Sequence, residues 1–167
     1  MRNIKRIITF LLLTVIMFGF SKQAAAEELR TNIMNVQLND NIGFVLYKDN
    51  VENSSTRAVS YTSDSYSGYF YYTDSGNKIS EHKFTAQFSY TGEMASCYQT
   101  SSSTKMVDQN SNLRPKAINE GKNNVTPTQV YGYVTFALYN TDDTVNNEVS
   151  IKIYCNQNGT TWVNRQG

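Results

Sequence analysis

Residues 83–90 read Lys83-Phe84-Thr85-Ala86-Gln87-Phe88-Ser89-Tyr90. Phe84, Ala86, Phe88 and Tyr90 fall on one side of an extended chain, and Thr85, Gln87 and Ser89 on the other. Side chains alternate with period two along a strand, so this pattern predicts a strand with one face in a core and one in water. Residues 149–155 repeat it, with Val149, Ile151, Ile153 and Cys155 inward and Ser150, Lys152 and Tyr154 outward. Residues 130–138 do so again, with Val130, Gly132, Val134, Phe136 and Leu138 set against Tyr131, Tyr133, Thr135 and Ala137. Asp142-Asp143 and Asn146-Asn147 lie between these last two runs and predict a hairpin loop, because Asn and Asp tolerate turn geometry.

Outward from these runs the strand signals shorten. Asn32 to Leu38 alternates through Met34, Val36 and Leu38, and Gly43 to Tyr47 is a short apolar run. Ala58 to Thr62 and Ser67 to Thr73 flank Ser63-Asp64, and Asp74-Ser75-Gly76-Asn77 predicts a turn before Lys78 to Ser80. Thr91-Gly92 ends the 83–90 strand, and Ala95 to Thr100 starts its partner. Asn158-Gly159 is a tight-turn signal leading into Thr160 to Val163. The polar stretch 108–128, with Pro115 and Pro127, predicts a long loop or irregular crossing. Short strands joined by polar turns predict an all-β fold, an antiparallel β-sandwich of immunoglobulin-like or jelly-roll-like type, with a barrel as the alternative closure. The expected sandwich core is 58–167. Residues 27–57, rich in Asn and charge, are expected to be an N-terminal lead with a flexible part, so that 27–167 is one mature domain.

The first 26 residues read as an address. Arg2, Lys5 and Arg6 precede the apolar run Ile7 to Phe20, and Ala24-Ala25-Ala26 follows a short polar patch. That is the layout of a secretory signal peptide, a signal helix cleaved near Ala26. The run of 14 residues falls short of the ~20 needed to cross a bilayer, and an uncleaved anchor is the competing reading. The expected product is secreted and extracellular, with no stable membrane anchor. Cleavage removes four basic residues (Arg2, Lys5, Arg6 and Lys22) and no acids, which takes the net charge from +1 to −3.

That charge argues against nucleic acid as a partner. With 2 Cys and 1 His the chain has no zinc framework, and it has no Gly-rich phosphate loop. No cofactor is expected. In an exported chain, Cys97 and Cys155 predict one disulfide, with a reactive thiol based on His82 as the alternative.

Phe84 to Gly92 followed by Cys97, and Val149 to Cys155 followed by Asn156-Gln157-Asn158-Gly159, resemble small secreted proteins of Gram-positive bacteria. The similarity covers about half of the mature chain and rests on alternation, two Cys and two Gly. It implies a single β-sandwich domain outside the cell and no particular activity.

His82 follows Glu81 at the start of a strand. Neighbours on a strand point to opposite faces, so the pair is badly placed for acid–base work, and a surface His is expected. A Gly-x-Ser-x-Gly elbow is absent. Asp142 and Asp143, with Asn140, Asn146, Asn147 and Glu148, form an oxygen-rich set that suits Ca²⁺ or simply a hairpin loop. Tyr61, Tyr66, Tyr69, Tyr71 and Tyr72 crowd one segment; Tyr69 and Tyr71 share a face, with Phe70 and Tyr72 opposite. Exposed rings stack on sugars or anchor proteins, whereas cross-strand rings stabilise a sheet. Tyr66, Tyr69, Tyr71 and Tyr72 are therefore the candidate ligand contacts, for cell-wall glycan or a surface protein. The sequence predicts a non-enzymatic binding or cell-surface interaction module. A membrane-active effector using the hairpin 130–155, and a small hydrolase, are the other classes.

Overall fold

The chain forms nine strands in the computed structural model, which describes residues 32–55 and 58–166, without the side chains of 50–52, 165 and 166. The leader expected at 1–26 lies outside the described residues. The strands are β1 (Asn32–Gln37), β2 (Ile42–Ser55), β3 (Ser60–Tyr72), β4 (Lys78–Tyr90), β5 (Ala95–Met106), β6 (Arg114–Thr126), β7 (Gln129–Tyr139), β8 (Val145–Asn156) and β9 (Thr161–Gln166). They form a five-stranded sheet in the order β1-β2-β3-β4-β5 and a four-stranded sheet in the order β6-β7-β8-β9. Every pairing is antiparallel.

The inner faces of the two sheets meet in one core. Phe44, Phe70, Phe84 and Phe88 from the first sheet pack with Val130, Phe136, Ile151 and Ile153 from the second. The residues read as inward in the three strongest runs are all buried except Tyr90, which is half-buried. This is the expected antiparallel sandwich, but the strand order departs from the immunoglobulin-like and jelly-roll-like types. Those are Greek keys, whereas here, within each sheet, every strand pairs with its neighbours in sequence.

Three boundaries are corrected. Residues 32–55, expected within an N-terminal lead, supply β1 and β2, and Ile42, Phe44 and Leu46 enter the core. Ser63-Asp64, expected to interrupt two short strands, lies inside β3 because Thr62, Asp64 and Tyr66 continue the inner face with polar groups. The loop expected over 108–128 is confined to 107–113; Arg114–Thr126 forms β6. Its ladder to β7 breaks at Ile118/Gly121 and Asn123/Thr126, which is why no clean alternation marks it.

β5 and β6 are the edges of different sheets, and side chains link them where a backbone ladder does not. Lys122 donates from Nζ to the Tyr98 carbonyl at 2.6 Å, and Ser102 bonds the Glu120 carboxylate. The β8–β9 turn carries Gly159 at φ 80°, where a Cβ would lie 2.3 Å from the Tyr90 ring, so only glycine fits.

Candidate functional site

The outer face of the four-stranded sheet is built from the polar-side positions of β6 to β9. In register across the strands stand Asn123, Tyr131, Tyr154 and Trp162. Tyr131 and Tyr154 have ring centroids 5.1 Å apart, and Tyr154 and Trp162 are stacked at 5.4 Å with planes 6° apart. Tyr133 joins the row beside Tyr131 at 6.1 Å. Lys152 lies 4.9 Å over the Tyr131 ring, and Asn123 donates from Nδ2 to the Tyr131 hydroxyl at 3.1 Å. Trp162 sits on β9, an open edge, and is 37% exposed. Sequence reading put Tyr131, Tyr133 and Tyr154 on an outer face but missed the row, because it depends on register between strands, and Trp162 carried no local signal.

The four tyrosines singled out from the sequence separate. Tyr66 is 2% exposed in the core and donates to Asp64 Oδ2 at 3.2 Å, which corrects its expected place on a binding surface. Burial, and then the Asp64 charge, hold its phenol above the usual range. Phe84 stands opposite Tyr66 on β4, so the inner face of β3 keeps it. Tyr72 packs against the core and bonds Ser111. Tyr69 and Tyr71 share the outer face, half-buried, as the alternation predicts. Their rings meet edge-on at 6.0 Å, Tyr69 shares a 3.0 Å hydroxyl bond with Tyr47, and Lys78 covers it at 4.7 Å. Tyr71 lies on Gly43 and donates to Asn35 Oδ1 at 2.9 Å.

Cys97 on β5 and Cys155 on β8 are free thiols, both buried in the core, where the sequence predicts a bridge. Each donates to a nearby carbonyl, Gln99 at 3.8 Å and Asn156 at 3.4 Å. Burial pushes Cys97 up to about 11 and Cys155 up to about 12, the latter also through the neighbouring Cys97 and Asp64. The thiolate that attacks in exchange or catalysis is therefore scarce at neutral pH.

His82 is 3% exposed, not at the surface as expected. Its ring packs edge-on to Phe70 at 5.1 Å and against Phe136 at 4.5 Å. Ser80 bonds Nε2 at 2.9 Å and Thr104 bonds Nδ1 at 3.1 Å. Burial lowers its pKa to about 3. The Ser–His contact is thus enclosed by aromatic rings.

Asp142 and Asp143 serve the β7–β8 turn. Asp142 Oδ1 accepts from the Thr144 amide at 3.0 Å and from its hydroxyl at 2.6 Å, and these bonds hold the carboxyl below its usual range. Asp143 takes φ 62° and faces Lys116 at 3.6 Å. The apolar side of the 130–155 hairpin is spent in the core. Comparison of the chain with protein-family models, curated proteins and solved structures gives no match.

Proposed function

We propose that this chain is a secreted, non-enzymatic binding module of a Gram-positive cell surface, exported by a leader cleaved near Ala26. Its partner is cell-wall glycan, held by aromatic side chains, and a Cys97–Cys155 bridge closes the core once the chain reaches an oxidising compartment. The observation that carries this reading is the Tyr131–Tyr154–Trp162 row, which ends in an exposed ring on an open sheet edge. Trp and Tyr offer large rigid area at low conformational cost, with a polar tip for hydrogen bonding. Tyr131 and Tyr154 each have a ring neighbour on both sides, so sheet stability accounts for them. Trp162 has one such neighbour among the described residues, and a sugar ring stacked on its free side would extend the row.

Retention of the purified protein on insoluble peptidoglycan tests the reading. The expected result is retention that Trp162→Ala abolishes while the fold is kept. Retention unchanged by Trp162→Ala, or binding to a surface protein with none to glycan, overturns it.

A further inference from the structure

A concavity lies on the outer face of the five-stranded sheet, a cleft of about 230 Å³ walled by Asn53 and Ser54 of β2, Tyr61 and Ser63 of β3, Gln87 of β4 and Tyr98 of β5. It exists because the β4–β5 register slips. Gln87 pairs with Gln99 and Phe88 with Cys97, which leaves Tyr98 as an extra residue on β5. A bulge of this kind re-aims one side chain. Tyr98 is 44% exposed and meets Tyr61 edge-on, centroids 6.0 Å apart at 88°.

The lining has two features that point to a ligand class. It holds phenols, carboxamides and hydroxyls, and no group that is charged at neutral pH. The Gln87 amide, opposite Ser63 on the outer face, is also unused: among the described residues no side-chain hydrogen bond engages it. An amide offers a donor pair and an acceptor together, which matches a hydroxyl that must do both. A charged ligand would be partly desolvated here with no counter-charge.

We infer that this cleft is a subsite for one neutral sugar unit, with Tyr61 and Tyr98 supplying ring contact and Gln87 the hydrogen bonds. The glycan class rests on the proposed function, but the site is separate from the Trp162 row.

Titration of the purified protein with N-acetylglucosamine, glucose and glucuronate, followed by amide chemical shifts, tests it. The expected result is saturable shifts around Ser63, Gln87 and Tyr98 with a neutral sugar. Gln87→Ala and Tyr98→Ala should each weaken binding about tenfold, the loss of one good contact, while Trp162→Ala leaves it unchanged. Shifts confined to other residues, no shifts at all, insensitivity to both variants, or a preference for glucuronate would overturn it. Glycan retention through Trp162 without shifts at the cleft would sink this inference alone. Shifts at the cleft without Trp162-dependent retention would sink the platform and leave the cleft.

Discussion

The side-chain amide of Asn124 clasps the backbone of Cys97 at both ends. Its Oδ1 accepts from the Cys97 amide at 2.8 Å, and its Nδ2 donates to the Cys97 carbonyl at 3.0 Å. One residue of β6 thus imitates a strand partner for β5, at the bulge where β5 is locally irregular. Replacing Asn124 by Ala leaves both groups unmet, and should cost about 1–3 kcal/mol. Asn124→Asp keeps the acceptor for the Cys97 amide but sets a carboxylate oxygen against the Cys97 carbonyl, so a comparable loss is expected. Urea unfolding checks this through a lower midpoint at unchanged slope.

His82 makes stability fall in mild acid. Its pKa is about 3 in the folded chain against 6.5 in the unfolded one, so between those values the unfolded state binds a proton that the folded state refuses. Stability due to this group is full above pH 6.5 and declines as pH drops toward 3, by up to about 1.4 kcal/mol per unit. His82→Phe should flatten the profile between pH 7 and 5, measured as the difference in urea midpoints. An identical slope in both proteins would count against it.

The two thiols should be silent to alkylating reagents in the folded, reduced protein and react once urea is added, because both are buried with raised pKa values. Protein collected from an exporting host is expected to be lighter by two hydrogens and to resist alkylation even in urea. In the chain-entropy account such a closure adds roughly 4 kcal/mol. The mass spectrum with and without reductant decides.

Gly132 sets the spacing of the sheets beside Cys97. A Cβ there would lie 2.9 Å from the Ala86 Cβ and 2.7 Å from the Thr100 methyl. Gly132→Ala must push β7 away from β4 and β5, at a cost of about 1–3 kcal/mol, seen as a lowered thermal midpoint.

Asp64 is fully buried and relies on Lys48 at 3.2 Å and Tyr66 for one oxygen, while among the described residues Oδ1 has no partner. Lys48→Met strands the carboxylate and should destabilise by about 3 kcal/mol in urea unfolding. Adding Asp64→Asn should restore part of that.

Much of the fold was readable because the three best strands carry apolar residues at every second position, as Phe84, Ala86 and Phe88 do. The errors share a cause. β3 buries Thr62 and Asp64, and β6 is a polar edge, so burial there is not signalled by hydrophobicity. The same reasoning misplaced Tyr66 and His82, whose polar atoms find partners inside: Asp64 for the one, Ser80 and Thr104 for the other. The aromatic row and the cleft were invisible for another reason. Each joins residues from three or four strands, and only their alignment across the sheet, including the slip that frees Tyr98, brings them together.

The unbroken sequence of hairpins has a bearing on how the chain matures. In each sheet a strand's partner is the next one synthesised, so no segment must wait for a distant mate. Contacts close in sequence lower the entropic barrier to assembly relative to a Greek key of equal size. The first sheet is complete on paper by Met106, before any residue of the second has emerged. A half-made molecule therefore has a greasy inner side with nothing yet to cover it, and the closing step of its birth is the arrival of Val130 to Ile153 as the lid.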